Sequence, residues 1–135
     1  MSAIDSLVFV EDRDNDALMI ETTIDQCECV ESAERLRGVT QAVAFLDAIP
    51  ETEKSPSLML VDINLPDGSG FSVVEHARNR FDRRTLPVVV FSGSENPADV
   101  QTAYEIGANI YMTKPMSFEQ YRHQIAGLCR FINRN

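Results

Sequence analysis

The chain has 135 residues, a hydrophobic fraction of 44% and a formal net charge of −9. It is long enough for one domain with a real core, and its acidity argues against non-specific binding to nucleic acid or to anionic membrane. With no secretory signal and no apolar run of spanning length, a cytoplasmic protein without membrane insertion is expected, and Cys27, Cys29 and Cys129 are expected to be free thiols.

The predicted elements alternate along the chain. Leu7-Val8-Phe9-Val10 is an apolar run that ends in acids. Ala17, Ile20 and Ile24 sit at helical spacing within residues 15–25. Cys27 to Ala33 reads as a weaker strand. Val39, Ala42, Val43, Leu46 and Ile49 form a helical face that stops near Pro50. After a polar loop from Glu51 to Pro56, Leu58-Met59-Leu60-Val61 is a short apolar run closed by Asp62. The Leu65-Pro66-Asp67-Gly68 turn follows, so the run reads as a buried parallel strand. Phe71, Val74, Ala77 and Phe81 mark the next helix, and Pro87 to Phe91 the next strand. Asn96 caps a helix with Pro97 in its first turn and Gly107 at its end. Asn109 to Met112 is a short strand. Ser117 and Gln120 form a capping box for the last helix, whose stripe is Phe118, Tyr121, Ile125, Leu128 and Ile132.

About five strand–helix units imply an α/β fold: a doubly wound, five-stranded parallel sheet with helices on both faces, in one domain spanning 1–135. The polar groups collect at the strand ends. Glu11 and Asp12 follow the first strand, Asp62 the third, Ser92 closes the fourth, and Lys114 follows the fifth. In such a sheet these ends converge on one crevice. Three acids that close repel one another unless a cation is present. Hard oxygen donors with partial solvation suit Mg²⁺, and Lys114 offers a point charge for an anionic oxygen. Together they describe a carboxylate nucleophile with a metal and a lysine to neutralise a phosphoryl group.

Alone, each residue has a plainer reading. Asp12 can cap a helix, Asp62 can serve the turn, Ser92 and Ser94 can satisfy turn backbone, Tyr111 can be core, and His76 and His123 have no assigned role. Other classes fit poorly. A haloacid-dehalogenase-type hydrolase wants an acid two residues after the nucleophile, where Asn64 stands. A calcium loop starting at Asp62 wants glycine where Asp67 stands. A flavodoxin-like nucleotide binder wants a phosphate-cradling loop where Glu11 and Asp12 stand.

The ordered set Glu11-Asp12, Asp62, Ser92, Tyr111 and Lys114-Pro115 resembles the receiver domain of two-component response regulators over essentially the whole chain. The resemblance implies flavodoxin-like strand order 2-1-3-4-5. It implies a regulatory phospho-acceptor rather than an enzyme with turnover, with Asp62 taking phosphoryl from a histidine kinase or a histidine phosphotransfer protein. Mg²⁺ would be held by Asp12, Asp62 and the carbonyl of Asn64, with Glu11 acting mainly through water. Ser92 and Tyr111 would be the switch pair, Lys114 would pair with phosphoryl, and Pro115 would follow a cis bond. Asn64 and Ser94 would flank the water that ends the signal. Glu11 departs from the commoner Asp, and the stretch from Pro50 to Pro56 looks extended. A stand-alone receiver is expected, signalling through a downstream protein target or by onward phosphorelay, with a candidate homodimer surface on the fourth helix, fifth strand and fifth helix. The rival reading is a non-phosphorylated pseudo-receiver that acts as an interaction module.

Overall fold

The computed structural model describes residues 4–133; residues 1–3 and 134–135 of the expected domain lie outside the described residues. In chain order the elements are β1 (Ile4–Val10), α1 (Asp14–Cys27), β2 (Val30–Leu36), α2 (Val39–Ala48), β3 (Leu58–Val61), β4 (Asn64–Leu65), β5 (Gly68–Ser69), α3 (Gly70–Arg78), β6 (Val88–Ser92), α4 (Pro97–Glu105), β7 (Ile110–Thr113) and α5 (Phe118–Asn133). Five strands pair in parallel in the order β2-β1-β3-β6-β7. Counted without the small antiparallel β4–β5 hairpin, this is the expected order 2-1-3-4-5. The order reverses between β1 and β3, which opens a crevice at their carboxyl ends.

Alternation along the strands sends successive side chains to opposite layers. Val8, Val10, Met59, Val61, Val88 and Val90 face α2, α3 and α4. Leu7, Phe9, Leu58, Leu60, Val89 and Phe91 face α1 and α5. Every residue of β3 and β6 is buried, as expected for strands covered on both faces. Each such aliphatic side chain contributes about 1.5–3 kcal/mol on burial. The central strands are therefore the rigid platform on which the strand-end groups stand.

Several boundaries differ from the sequence reading. α1 runs on to Cys27 and stops because Glu28 takes a left-handed conformation, φ 55°. β2 consequently starts at Val30, three residues later than expected. It is an edge strand with residues 31–34 exposed, which is why its hydrophobic pattern was weak. In the segment from Pro50 to Pro56, Glu53 N donates to Pro50 O at 3.0 Å, and Ser55 Oγ donates to Thr85 O at 2.9 Å.

Other local signals match. Asn96 accepts from Ala98 N at 3.0 Å ahead of Pro97. Ser117 Oγ accepts from Gln120 N, while Gln120 reaches back to Met116 N, each at 3.3 Å. Gly107 has φ +114°, and the Arg78 stem packs where its Cβ would stand.

The cysteines depart from expectation. Cys29 and Cys129 form a disulfide across 100 residues of sequence, and Cys27 alone remains a free thiol. The reason is tertiary. α1 and α5 pack side by side, which brings the last turns of α5 against the α1–β2 corner.

Candidate functional site

The crevice at the strand ends gathers three carboxylates, those of Glu11, Asp16 and Asp62, around one ammonium. Asp62 follows β3, its amide still bonded to Val10 O at 3.1 Å, and only 5% of it is exposed. Glu11 follows β1, bonds through its amide to Leu36 O, and is 2% exposed. Lys114, just past β7, is anchored by its backbone N–H to Ser92 O at 2.7 Å. Its Nζ lies 2.5 Å from Glu11 Oε1, 2.9 Å from Asp62 Oδ2 and 3.0 Å from Asp16 Oδ2.

Burial sets the electrostatics. Desolvation pushes the Glu11 carboxyl above its usual range, against the pull of Lys114. Burial alone would lower Lys114, but the hydrogen bonds it donates to Glu11 and Asp62 and the charges of those two carboxylates outweigh it and hold the ammonium above its ordinary value. The lysine therefore stays charged throughout the physiological range. Asp16 also faces Tyr121 of α5. Burial and then the Asp16 charge push that phenol up to about 12, and its ring packs edge-on against Phe91 at 5.6 Å.

The other expected ligands lie at the rim. Asp12 and Asn64 are exposed. Asn64 N donates to Asp62 Oδ1 at 3.2 Å, which fixes one oxygen of the carboxylate while the other contacts Lys114. Arg35, from β2, shapes the acidic turn from behind: its Nε donates to Glu11 O at 2.9 Å and a terminal nitrogen to Asp12 O at 3.0 Å. The remaining excess of negative charge over Lys114, all on hard oxygen donors beside a solvated rim, fits a divalent cation such as Mg²⁺. Glu11 also contacts Lys114 directly.

Ser92, fully buried at the end of β6, has its Oγ accepting from Ser94 N at 3.2 Å. Tyr111, half-buried on β7, donates its hydroxyl to Ser94 O at 2.6 Å, and its own N–H is bonded to Tyr104 Oη at 3.1 Å. Ser94 is committed to its turn: its hydroxyl donates to Asp99 at 2.6 Å and accepts from Asn96 N at 3.2 Å. Among the described residues no peptide bond is cis, so the bond before Pro115 is trans, contrary to what the resemblance implied.

Sequence reasoning missed Asp16 and Arg35. Both look like ordinary exposed charges until α1 and β2 are placed. It also missed Asp67, whose carboxylate accepts from Val39 N at 2.7 Å and Thr40 N at 2.9 Å. The turn after β3 thus caps α2, and those two amides hold Asp67 below the usual carboxylate range. The signal for Asp67 was available in part, because α2 begins at Gly38-Val39 with no side-chain cap of its own.

Comparison with known proteins agrees with this architecture. The model of the response regulator receiver domain matches residues 8–126. Response regulator Rcp1 of Synechocystis sp. is 31% identical over 127 residues, covering 93% of this chain and 86% of its own. The crystal structure of the phosphorylated cyanobacterial phytochrome response regulator RcpA superposes with a TM-score of 0.81 at 27% identity, covering 95% of this chain and 93% of that one. The Mn²⁺-bound form of Rcp1 superposes with a TM-score of 0.80 at 29% identity, covering 94% and 93%.

Proposed function

The chain belongs to the response regulator receiver family, and from that premise we propose that it accepts a phosphoryl group on Asp62 and signals through a phosphorylation-dependent surface. The observation that carries the proposal is the convergence of Asp62, Glu11 and Asp16 on Lys114 at the topological switch point. In this reading an Asp62 oxygen bonds to phosphorus while the P–N bond to a donor imidazole, on a histidine kinase or a phosphotransfer protein, breaks. Lys114 then exchanges part of its carboxylate contact for a phosphoryl oxygen. Asp12, Asp62 and the Asn64 carbonyl would hold Mg²⁺, with Glu11 behind them. The bound ion would supply charge neutralisation for the transferring group. That the similar Rcp1 has a Mn²⁺-bound form supports the binding of a divalent ion. Ser92 would turn its hydroxyl toward the phosphoryl oxygens and Tyr111 would follow. The signal would reach a downstream protein, or a second copy of the chain, through α4, β7 and α5.

The test is electrophoresis in a phosphate-retarding gel after treatment with a small phosphodonor, with and without Mg²⁺. A retarded, acid-labile species that requires Mg²⁺ and disappears in Asp62→Asn is the expected result. Labelling of Asp62→Asn at wild-type level would move the acceptor elsewhere, and no labelling of the wild type would favour the pure interaction module.

A further inference from the structure

Away from the crevice, three sulfurs meet where α1 turns into β2 beneath the end of α5. Cys27 Sγ lies 2.8 Å from Cys29 Sγ, and the three sulfurs lie within 4.8 Å of one another. Cys129 is 4% exposed, whereas Cys27 is half-buried and free. Cys27 opens onto a surface depression that it shares with Gln26, Arg122, His123 and Arg130. A free thiol is thus held against one sulfur of an existing disulfide, within the range at which reacting atoms need little further approach.

We propose that this is a thiol–disulfide exchange site in which Cys27 is the internal nucleophile. The Cys27 proton leaves to solvent through the depression, because the thiolate is the attacking species. The thiolate forms a bond to Cys29 Sγ, the Cys29–Cys129 bond breaks, and its electron pair leaves on Cys129, which takes up a proton. One disulfide is present before and after, so no oxidant or reductant is consumed. What changes is mechanical. The Cys29–Cys129 form ties α5 to the start of β2, and the Cys27–Cys29 form is confined to the α1–β2 corner and leaves α5 untied.

The protease trypsin separates the two forms, because residues 14–35 carry both Cys27 and Cys29, and residues 123–130 carry Cys129. The oxidised full chain is equilibrated at mildly alkaline pH, quenched in acid, alkylated, digested and mapped by mass. The wild type is expected to yield both the cross-linked pair of peptides and an internally looped 14–35 peptide with alkylated Cys129. Cys27→Ser is expected to yield the cross-link alone, and Cys129→Ser the internal loop alone. A wild type that yields only the cross-link, with Cys27 fully alkylated, overturns the proposal. So does a Cys129→Ser protein in which Cys27 and Cys29 both alkylate after oxidation. A chain whose three thiols all alkylate, and which binds one Zn²⁺ with thiolate-to-metal absorption, overturns it in favour of a thiophilic metal site.

Discussion

Asp16, in the first turn of α1, places its carboxylate 3.0 Å from Lys114 Nζ and so competes with the strand-end acids for the only ammonium in the crevice among the described residues. Lys114 must give up carboxylate contact to engage a phosphoryl oxygen, and a rival anion on α1 makes that harder. Asp16→Asn is expected to speed phosphorylation by a small phosphodonor about fivefold, the equivalent of a partly buried pair worth about 1 kcal/mol. It should also lower the Tyr121 titration midpoint from about 12, read from tyrosinate absorbance. An unchanged rate with a lowered midpoint would confine Asp16 to the α1–α5 contact.

Gly70 is required by steric contact rather than by its dihedral angles. A Cβ there would stand 1.9 Å from Asp62 O and 2.9 Å from a Val61 methyl. Gly70→Ala forces the end of β3 and the start of α3 apart, at a cost of about 1–3 kcal/mol for overpacking. Urea unfolding should show the loss, and phosphorylation of the folded fraction should slow because the Asp62 backbone has moved. A neutral effect on both would mean that the β3–α3 junction yields easily.

Asp67 gives a pH dependence with a definite sign. Its carboxyl is held below its ordinary value of 3.8 by the amides of Thr40 and Val39. A depressed acid contributes stability that is fully present above its unfolded value and is lost as pH falls through its folded one. Asp67→Asn should therefore be less stable than the wild type near neutrality, and the two unfolding midpoints should converge as pH drops below 3.8. Glu11 acts with the opposite sign, since its value is raised, but it is common to both proteins and cancels. Parallel midpoint curves would exclude a charged cap.

Ser92, Ser94 and Tyr111 form one chain of hydrogen bonds. Turning the Ser92 hydroxyl toward a phosphoryl group removes it from Ser94 N–H, and Ser94 O is what the Tyr111 hydroxyl holds. Ser92→Ala is expected to phosphorylate still, yet to lose the phosphorylation-induced NMR shifts across residues 96–131. Survival of those shifts in Ser92→Ala would break the proposed coupling.

The strand-end groups were legible because the apolar runs of β1, β3 and β6 stop on them. A covered strand reads as a continuous apolar block, so the position of Asp62 follows directly from Leu58 to Val61. Helix ends marked by local chemistry, such as Asn96-Pro97 and Ser117 with Gln120, were legible for the same reason. What escaped depends on distance in sequence. The contacts of Asp16 with Lys114, Arg35 with the Glu11 and Asp12 carbonyls, Asp67 with α2, and Cys29 with Cys129 each join segments more than 20 residues apart. β2 was displaced because an edge strand with an exposed middle has little hydrophobic period to read.

The Asp67 cap also limits how freely the loop after β3 can be transplanted. A chimera that carried residues 62–70 into another scaffold would bring Asp62 but leave Asp67 without the amides of Val39 and Thr40. It would also need a glycine facing that carboxylate, since a Cβ on Gly38 would sit 2.5 Å from Asp67 Oδ1. The unit of exchange is therefore the loop together with the first turn of α2, two stretches of chain that must be swapped as a pair.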